Sequence, residues 1–367
     1  MINVLMISTD AKILEEGSDV RARMIEYGTL FSELHIVVFS TGSLSKTIHI
    51  AQNVFAYPTN SLSKFLYIKD AVSVGSKIIK EKGFTSATSV ITTQDPFETG
   101  VVGRLLSNAS KIRLHVQIHT DFKSPYFKKS ALNKIRIALS ERVLPGAQAI
   151  RVVSERIFKS LPADVKSKTS ILPIFADVEA IENAPIGMDL QKMYSQFEKI
   201  VLIASRITKE KDIPTALKAF KGCLESQPNT GLIIVGSGPE EDALKKEVRS
   251  LGLEKSIVFE SWADHDTLIS YMKSCDVFLS SSLYEGYGLS MLEAHTAGAL
   301  LVATDTGIAP ELVSEEALVE VGDVEKMSVA LDKALSGKVA RKPYEYSYSS
   351  KEDYLKQYQI DIERTLN

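Results

Sequence analysis

Only two of the 367 residues are cysteine, Cys223 and Cys275, and they lie far apart. They fit neither a disulfide framework nor a zinc site, which points to a reducing compartment and makes the cytoplasm the default location. No apolar run approaches the roughly 20 residues needed to span a bilayer. The opening MINVLMISTD has a short apolar run without a basic start, so it reads as a first strand and not as a signal peptide. Low-complexity tracts are missing, and tryptophan occurs once, at Trp262. A complete dinucleotide fingerprint is missing too. In VGSGPEE (235–241) Gly236 and Gly238 are followed by Glu241 where a third glycine would stand, which argues against a nicotinamide site.

What is present is an α/β pattern. Apolar β-rich runs alternate with helical segments at INVLMI (2–7), LHIVVF (34–39), SVITT (89–93), RLHVQIH (113–119) and AIRVVS (149–154). A second series runs through KIVLIAS (199–205), GLIIVG (231–236), SIVFES (256–261), DVFLSS (276–281) and LLVAT (300–304). Such alternation predicts parallel sheets with crossover helices, and the length suits two domains. The proline-containing stretch 173–191 reads as a linker, giving lobes over 1–180 and 181–348, with a closing helix over 349–367 that packs back on the first lobe. Formal net charge is −3, yet residues 104–160 carry twelve Lys and Arg against three acids, a local charge of +9 that would attract an anionic surface or substrate.

The chemistry concentrates in EGYGLSMLE (285–293). Glu285 leaves the carboxyl end of the apolar strand CDVFLSSSLY (275–284), the end at which open α/β sheets bind ligands. Gly286 and Gly288 admit close backbone approach, and a helix starting at Leu289 offers unpaired amides to a phosphate. Glu293, just over a turn into that helix, is placed to accept from two neighbouring hydroxyls, as on a ribose. Taken alone, the two glutamates would equally suit a turn and a solvated helix face. In SRITKEKDIPTAL (205–217), Arg206 and Lys211 follow a strand end and precede a helix opened by Pro214, an arrangement able to clamp a diphosphate.

The ordered set of Arg206, Lys211, GSG at 236–238, E-x7-E at 285–293 and AGALLVATDTGIAPELV at 297–313 resembles the carboxyl-terminal lobe of family 4 glycosyltransferases over about residues 199–322. The resemblance implies the GT-B fold, two Rossmann-like doubly wound lobes facing across a cleft, and a retaining transfer of a hexosyl unit from a nucleotide-diphosphate sugar. It implies that Arg206 and Lys211 neutralise the leaving diphosphate and that Glu293 holds the ribose. Glu285, with the backbone of Gly286, Tyr287, Gly288 and Leu289, would contact the donor sugar. Gly236 would lie beside the donor and Trp262 near the base. In the first lobe Gly17 matches the loop after strand one, and His119 matches a histidine near the reacting carbon. The sequence departs from the family at Ser205 and Asp212, where glycines are usual, and in the first loop, where twin glycines are reduced to Gly17.

Asp264, His265 and Asp266 spell the metal signature of the other large glycosyltransferase fold, but they precede the helical pattern TLISYM, so Asp266 reads as a helix cap. No cofactor or required metal is expected, since side-chain cations and a helix start supply the positive charge. The expected partners are a nucleotide sugar, a glycan or lipid-linked acceptor in polysaccharide or glycolipid synthesis, and an anionic membrane inner face engaged by 104–160. Nucleic acid is not expected, because only Phe122, Tyr126, Phe127 and Phe158 interleave the basic residues. A two-lobed nucleotide-sugar epimerase is the alternative.

Overall fold

The Val-, Ile- and Leu-rich runs are buried on both faces, the signature of parallel strands covered by helices. A computed structural model describes residues 1–367 as two units, Met1–Pro173 with Ser347–Asn367, and Ile174–Tyr346.

Unit 1 holds eight strands: β1 (Asn3–Ser8), β2 (Glu33–Val38), β3 (Ile48–Ala51), β4 (Val54–Pro58), β5 (Ser89–Thr93), β6 (Arg113–Ile118), β7 (Ala149–Val152) and β8 (Thr169–Ile171). Their order is β3-β4-β2-β1-β5-β6-β7-β8, parallel except for β3 against β4. From β1 the chain winds outward first through β2 and then, on the other side, through β5 to β8. Right-handed crossovers therefore place helices on both faces. Helices Tyr67–Glu81, Glu98–Ser110 and Ala131–Val143 lie side by side. Helix Asp19–Gly28 meets the closing helix Lys351–Glu363 through Tyr27 and Tyr358, whose rings stack at 4.2 Å.

Unit 2 holds β9 (Lys199–Ala204), β10 (Thr230–Val235), β11 (Ile257–Glu260), β12 (Val277–Ser280), β13 (Leu300–Thr304) and β14 (Leu318–Val319) in the order β11-β10-β9-β12-β13-β14, all parallel. Gly231 sits inside β10 because the Phe197 ring occupies the space a Cβ would need, with its nearest carbon 2.1 Å away. In this sheet the strand order reverses between β9 and β12, and the loops that leave their carboxyl ends lie at the switch point where open α/β sheets bind ligands.

Two expectations need correction. The unit boundary lies at Pro173–Ile174 and not at 180, because the short helices Val178–Asn183 and Leu190–Met193 pack with unit 2. Asp264, not Asp266, caps helix His265–Ser274: its Oδ1 accepts from Thr267 N at 2.8 Å.

Candidate functional site

The loops that leave β9 and β12 are stitched to each other. Leu283 N donates to Glu210 O at 2.8 Å, and Ser281 Oγ donates to Lys211 O at 2.9 Å. This brings Lys211 and Glu285, 74 residues apart in sequence, into an ion pair with Nζ–Oε1 of 2.5 Å. Both side chains are about 15% exposed, and Ser282 Oγ also donates to Glu285 Oε1 at 2.7 Å. A small cavity here is lined by Ser205, Lys211, Ser282, Glu285 and Ser290 together with the ends of β9 and β12.

Special backbone holds the loops in place. Asp212, where the sequence departs from a glycine, adopts the left-handed region at φ 45°, and its Oδ2 accepts from Thr215 Oγ1 at 2.7 Å. Local side-chain bonding of this kind is what lets aspartate tolerate that region. Gly288 (φ 98°) caps helix Leu289–Thr296. Gly236 (φ 140°) would drive a Cβ to within 2.0 Å of Ser205 O, and Gly238 would drive one to within 2.2 Å of Ile207 O. The GSG element thus braces the Arg206–Lys211 loop from behind.

The remaining residues singled out from the sequence are spread around this cavity or lie elsewhere. Arg206 is 68% exposed, with Nη2 donating to Glu210 Oε1 at 3.2 Å, and does not line the cavity. Glu293 is 12% exposed and pairs with His265 Nε2 at 3.2 Å. Trp262 is 64% exposed in the loop after β11. Tyr287 is buried, and its carbonyl accepts from Ile308 N at 2.7 Å.

Gly17 and His119 belong to unit 1. Gly17 (φ 79°) makes the turn ahead of Ser18, whose hydroxyl caps helix Asp19–Gly28 by accepting from Arg21 N. His119 follows β6, and its pKa is pushed down to about 3, first by desolvation and then by the charges of Arg151, Arg23 and His115. At neutral pH its imidazole is uncharged.

Sequence reasoning missed Gly307 and the pairing role of His265. Gly307 (φ 52°) abuts the 285–288 turn: a Cβ there would lie 2.2 Å from Tyr287 O and 2.8 Å from Glu285 Cβ. Its signal was present inside TGIAPE, a glycine between two structured runs.

Much of the +9 segment is consumed internally. Arg151 is buried and donates to the carbonyls of Leu172 and Pro173 and to Gln117 and Tyr354. Arg136 pairs with Glu98, and Lys123 pairs with Glu141.

With this geometry in hand, residues 194–352 match the family model described as glycosyl transferases group 1. The second unit belongs to the group 1 glycosyltransferases. Over 241 residues the chain is 27% identical to an alpha-monoglucosyldiacylglycerol synthase of Streptococcus pneumoniae, which covers 62% of this chain and 54% of that protein. It is 31% identical over 147 residues to the lipopolysaccharide core biosynthesis mannosyltransferase LpsB of Rhizobium meliloti, covering 39% of each. The matched stretches span about half the length, or less, of these curated relatives. Among solved structures, Anabaena HepE in complex with UDP and glucose superposes with a TM-score of 0.69 at 18% identity, over 100% of this chain and 96% of that one. Sucrose-phosphate synthase from Thermosynechococcus elongatus gives a TM-score of 0.74 at 17% identity, over 100% and 95%. These likenesses show the fold: two parallel-sheet α/β lobes of the GT-B kind.

Proposed function

We propose that the chain is a retaining, metal-independent glycosyltransferase that moves a hexosyl unit from a nucleotide-diphosphate sugar to a glycan or lipid-linked acceptor. The observation that carries this reading is the meeting of Lys211 and Glu285 where the strand order reverses, beside the start of the glycine-capped helix that bears Glu293. In the reaction the bond between the anomeric carbon and the phosphate oxygen breaks and the oxygen keeps the electron pair. The acceptor oxygen bonds to the same face and gives up its proton to the departing diphosphate oxygen. Arg206 and Lys211 stabilise the charge that develops on the diphosphate, and the mostly buried Lys211 acts where water is largely excluded and its charge counts for more. Glu285, held beside Lys211 and Ser282, accepts from the donor sugar's hydroxyls and takes no part in holding the diphosphate. Glu293, held by His265, accepts from the ribose. His119 stays neutral, so the role near the reacting carbon that the resemblance gives it is one of hydrogen bonding and not of charge.

The names of the relatives support a lipid or polysaccharide acceptor. The test is a thermal-shift panel of UDP-, GDP- and ADP-sugars followed by an assay of nucleotide release with and without added acceptor. A binding donor at 100 times its Kd stabilises the fold by about 2.7 kcal/mol. Release that depends on acceptor supports transfer. Sugar conversion without acceptor would instead establish the epimerase, and no shift with any donor would reject both.

A further inference from the structure

Residues 34–69 contain no aspartate or glutamate. Within this stretch, two loops that leave the carboxyl edge of the unit 1 sheet, 40–47 after β2 and 59–66 after β4, are pinned together. Leu44 N donates to Asn60 Oδ1, and Asn60 Nδ2 donates to Leu44 O, both at 3.0 Å. Asn60 itself is left-handed at φ 49°. The pinned pair holds three large apolar side chains out into solvent: Leu44 is 47% exposed, Leu62 94% and Phe65 98%. Exposed lysines interleave with them at Lys46, Lys64 and Lys69, none in an ion pair, and Asp70 is the first acid to follow.

The same edge carries a second point of this kind. At the start of helix Ala131–Val143, Leu132 is 53% and Ile135 59% exposed, one turn apart, beside exposed Lys128, Lys129 and Lys134. Farther along the helix Val143 is buried, so the apolar stripe faces the core only in its last part. Because β2, β4 and β6 are parallel, the segments that follow them all emerge on one side of unit 1.

We propose that unit 1 docks on an anionic phospholipid bilayer through the paired loops 40–47 and 59–66, with Leu62 and Phe65 inserted among the acyl chains and the interleaved lysines on the headgroups. Charge complementarity and shape choose this occupant. The apolar side chains stand on two adjoining loops that themselves carry lysine and no acid, which suits a deformable anionic surface better than the shaped groove of a protein partner. The inference deepens the acceptor half of the proposed function, since an enzyme seated on a bilayer meets lipid-linked acceptors there. It differs from engagement through 104–160 as a whole, most of whose arginines are tied internally.

The test uses the full chain in co-sedimentation with vesicles of phosphatidylcholine alone and of phosphatidylcholine with phosphatidylglycerol. Wild type should pellet with the anionic vesicles at low salt and progressively less as salt shortens the Debye length from about 10 Å at 0.1 M. The double variant Leu62→Ser with Phe65→Ser should lose about tenfold or more in partitioning, with an unchanged unfolding midpoint. In a Phe65→Trp variant, emission above the background of Trp262 should be quenched by brominated lipid. This second readout stands even if the double variant fails to fold. The proposal is overturned if wild type ignores anionic vesicles, if the double serine variant pellets as well as wild type, or if the inserted tryptophan is not quenched. It is equally overturned if sedimentation shows that the loops close a dimer which the serine variant dissociates. Nucleotide-diphosphate binding, measured on the same samples, separates the two readings, because retained binding without vesicle association leaves the donor reading intact and sinks only the docking.

Discussion

Lys211 and Glu285 meet because β9 and β12, neighbours in the folded sheet, end side by side at the reversal of strand order. Each is a poor resident of a mostly buried position alone, since an unpaired buried charge is costly. Lys211→Ala and Arg206→Ala should each lower turnover by a factor on the order of 10² to 10³, and wild-type turnover in both would remove them from the reaction. His119 makes a separate prediction about pH. The unfolded chain binds a proton near its ordinary value of 6.5, whereas the folded imidazole refuses it until about 3. Stability is therefore fully present above 6.5 and falls as pH drops through that window. His35 and His295, also lowered chiefly by burial, act in the same direction. Asp95, raised to about 6 by burial, acts oppositely: its proton is retained in the fold, so its cost appears as pH rises toward 6. Urea unfolding at pH 7 and pH 5 should show a smaller acid loss in His119→Gln than in wild type, and equal losses would contradict the assignment.

At the scale of elements, the site depends on glycines that let one loop touch another. Gly307→Ala should displace the 285–288 turn, because the new Cβ would fall 2.2 Å from the Tyr287 carbonyl and the residue sits at φ 52°. A stability loss of about 1 to 3 kcal/mol should accompany weakened donor binding, whereas unchanged donor affinity would show that the turn does not depend on this buttress. These elements also mark what was legible beforehand. The fully buried runs were readable as strands, because continuous Val, Ile and Leu between turn signals has few other meanings. β3 and β4 were missed: β3 is a four-residue, half-exposed edge strand with a register shift, and β4 ends at Pro58. β8 and β14, three and two residues long, carry too little periodicity to read. The E-x7-E helix and the Arg206–Lys211 loop were legible as an ordered set. The Lys211–Glu285 and His265–Glu293 pairs were not, since sequence spacing gives no cross-strand distance.

Across the whole molecule, the closing helix is bound into unit 1 by a buried polar network. His115 Nε2 donates to Asp361 Oδ2 at 3.0 Å, Arg364 Nε donates to Asp361 Oδ1 at 2.9 Å, and Ser170 also bonds to Asp361. Asp361→Ala leaves these donors without their carboxylate and should cost about 3 to 5 kcal/mol, read as a lower denaturation midpoint. A loss within experimental error would mean that Asp361 does not hold the helix. The account as a whole stands on the division of labour between the two glutamates of unit 2. The direct measurement is calorimetry of the nucleotide diphosphate that the donor panel selects, titrated into wild type, Glu293→Ala and Glu285→Gln. The account predicts that Glu293→Ala weakens binding by about 1.5 to 3 kcal/mol while Glu285→Gln leaves affinity for the bare nucleotide diphosphate nearly unchanged and lowers turnover. Equal losses of affinity in the two variants, or none in either, would contradict it.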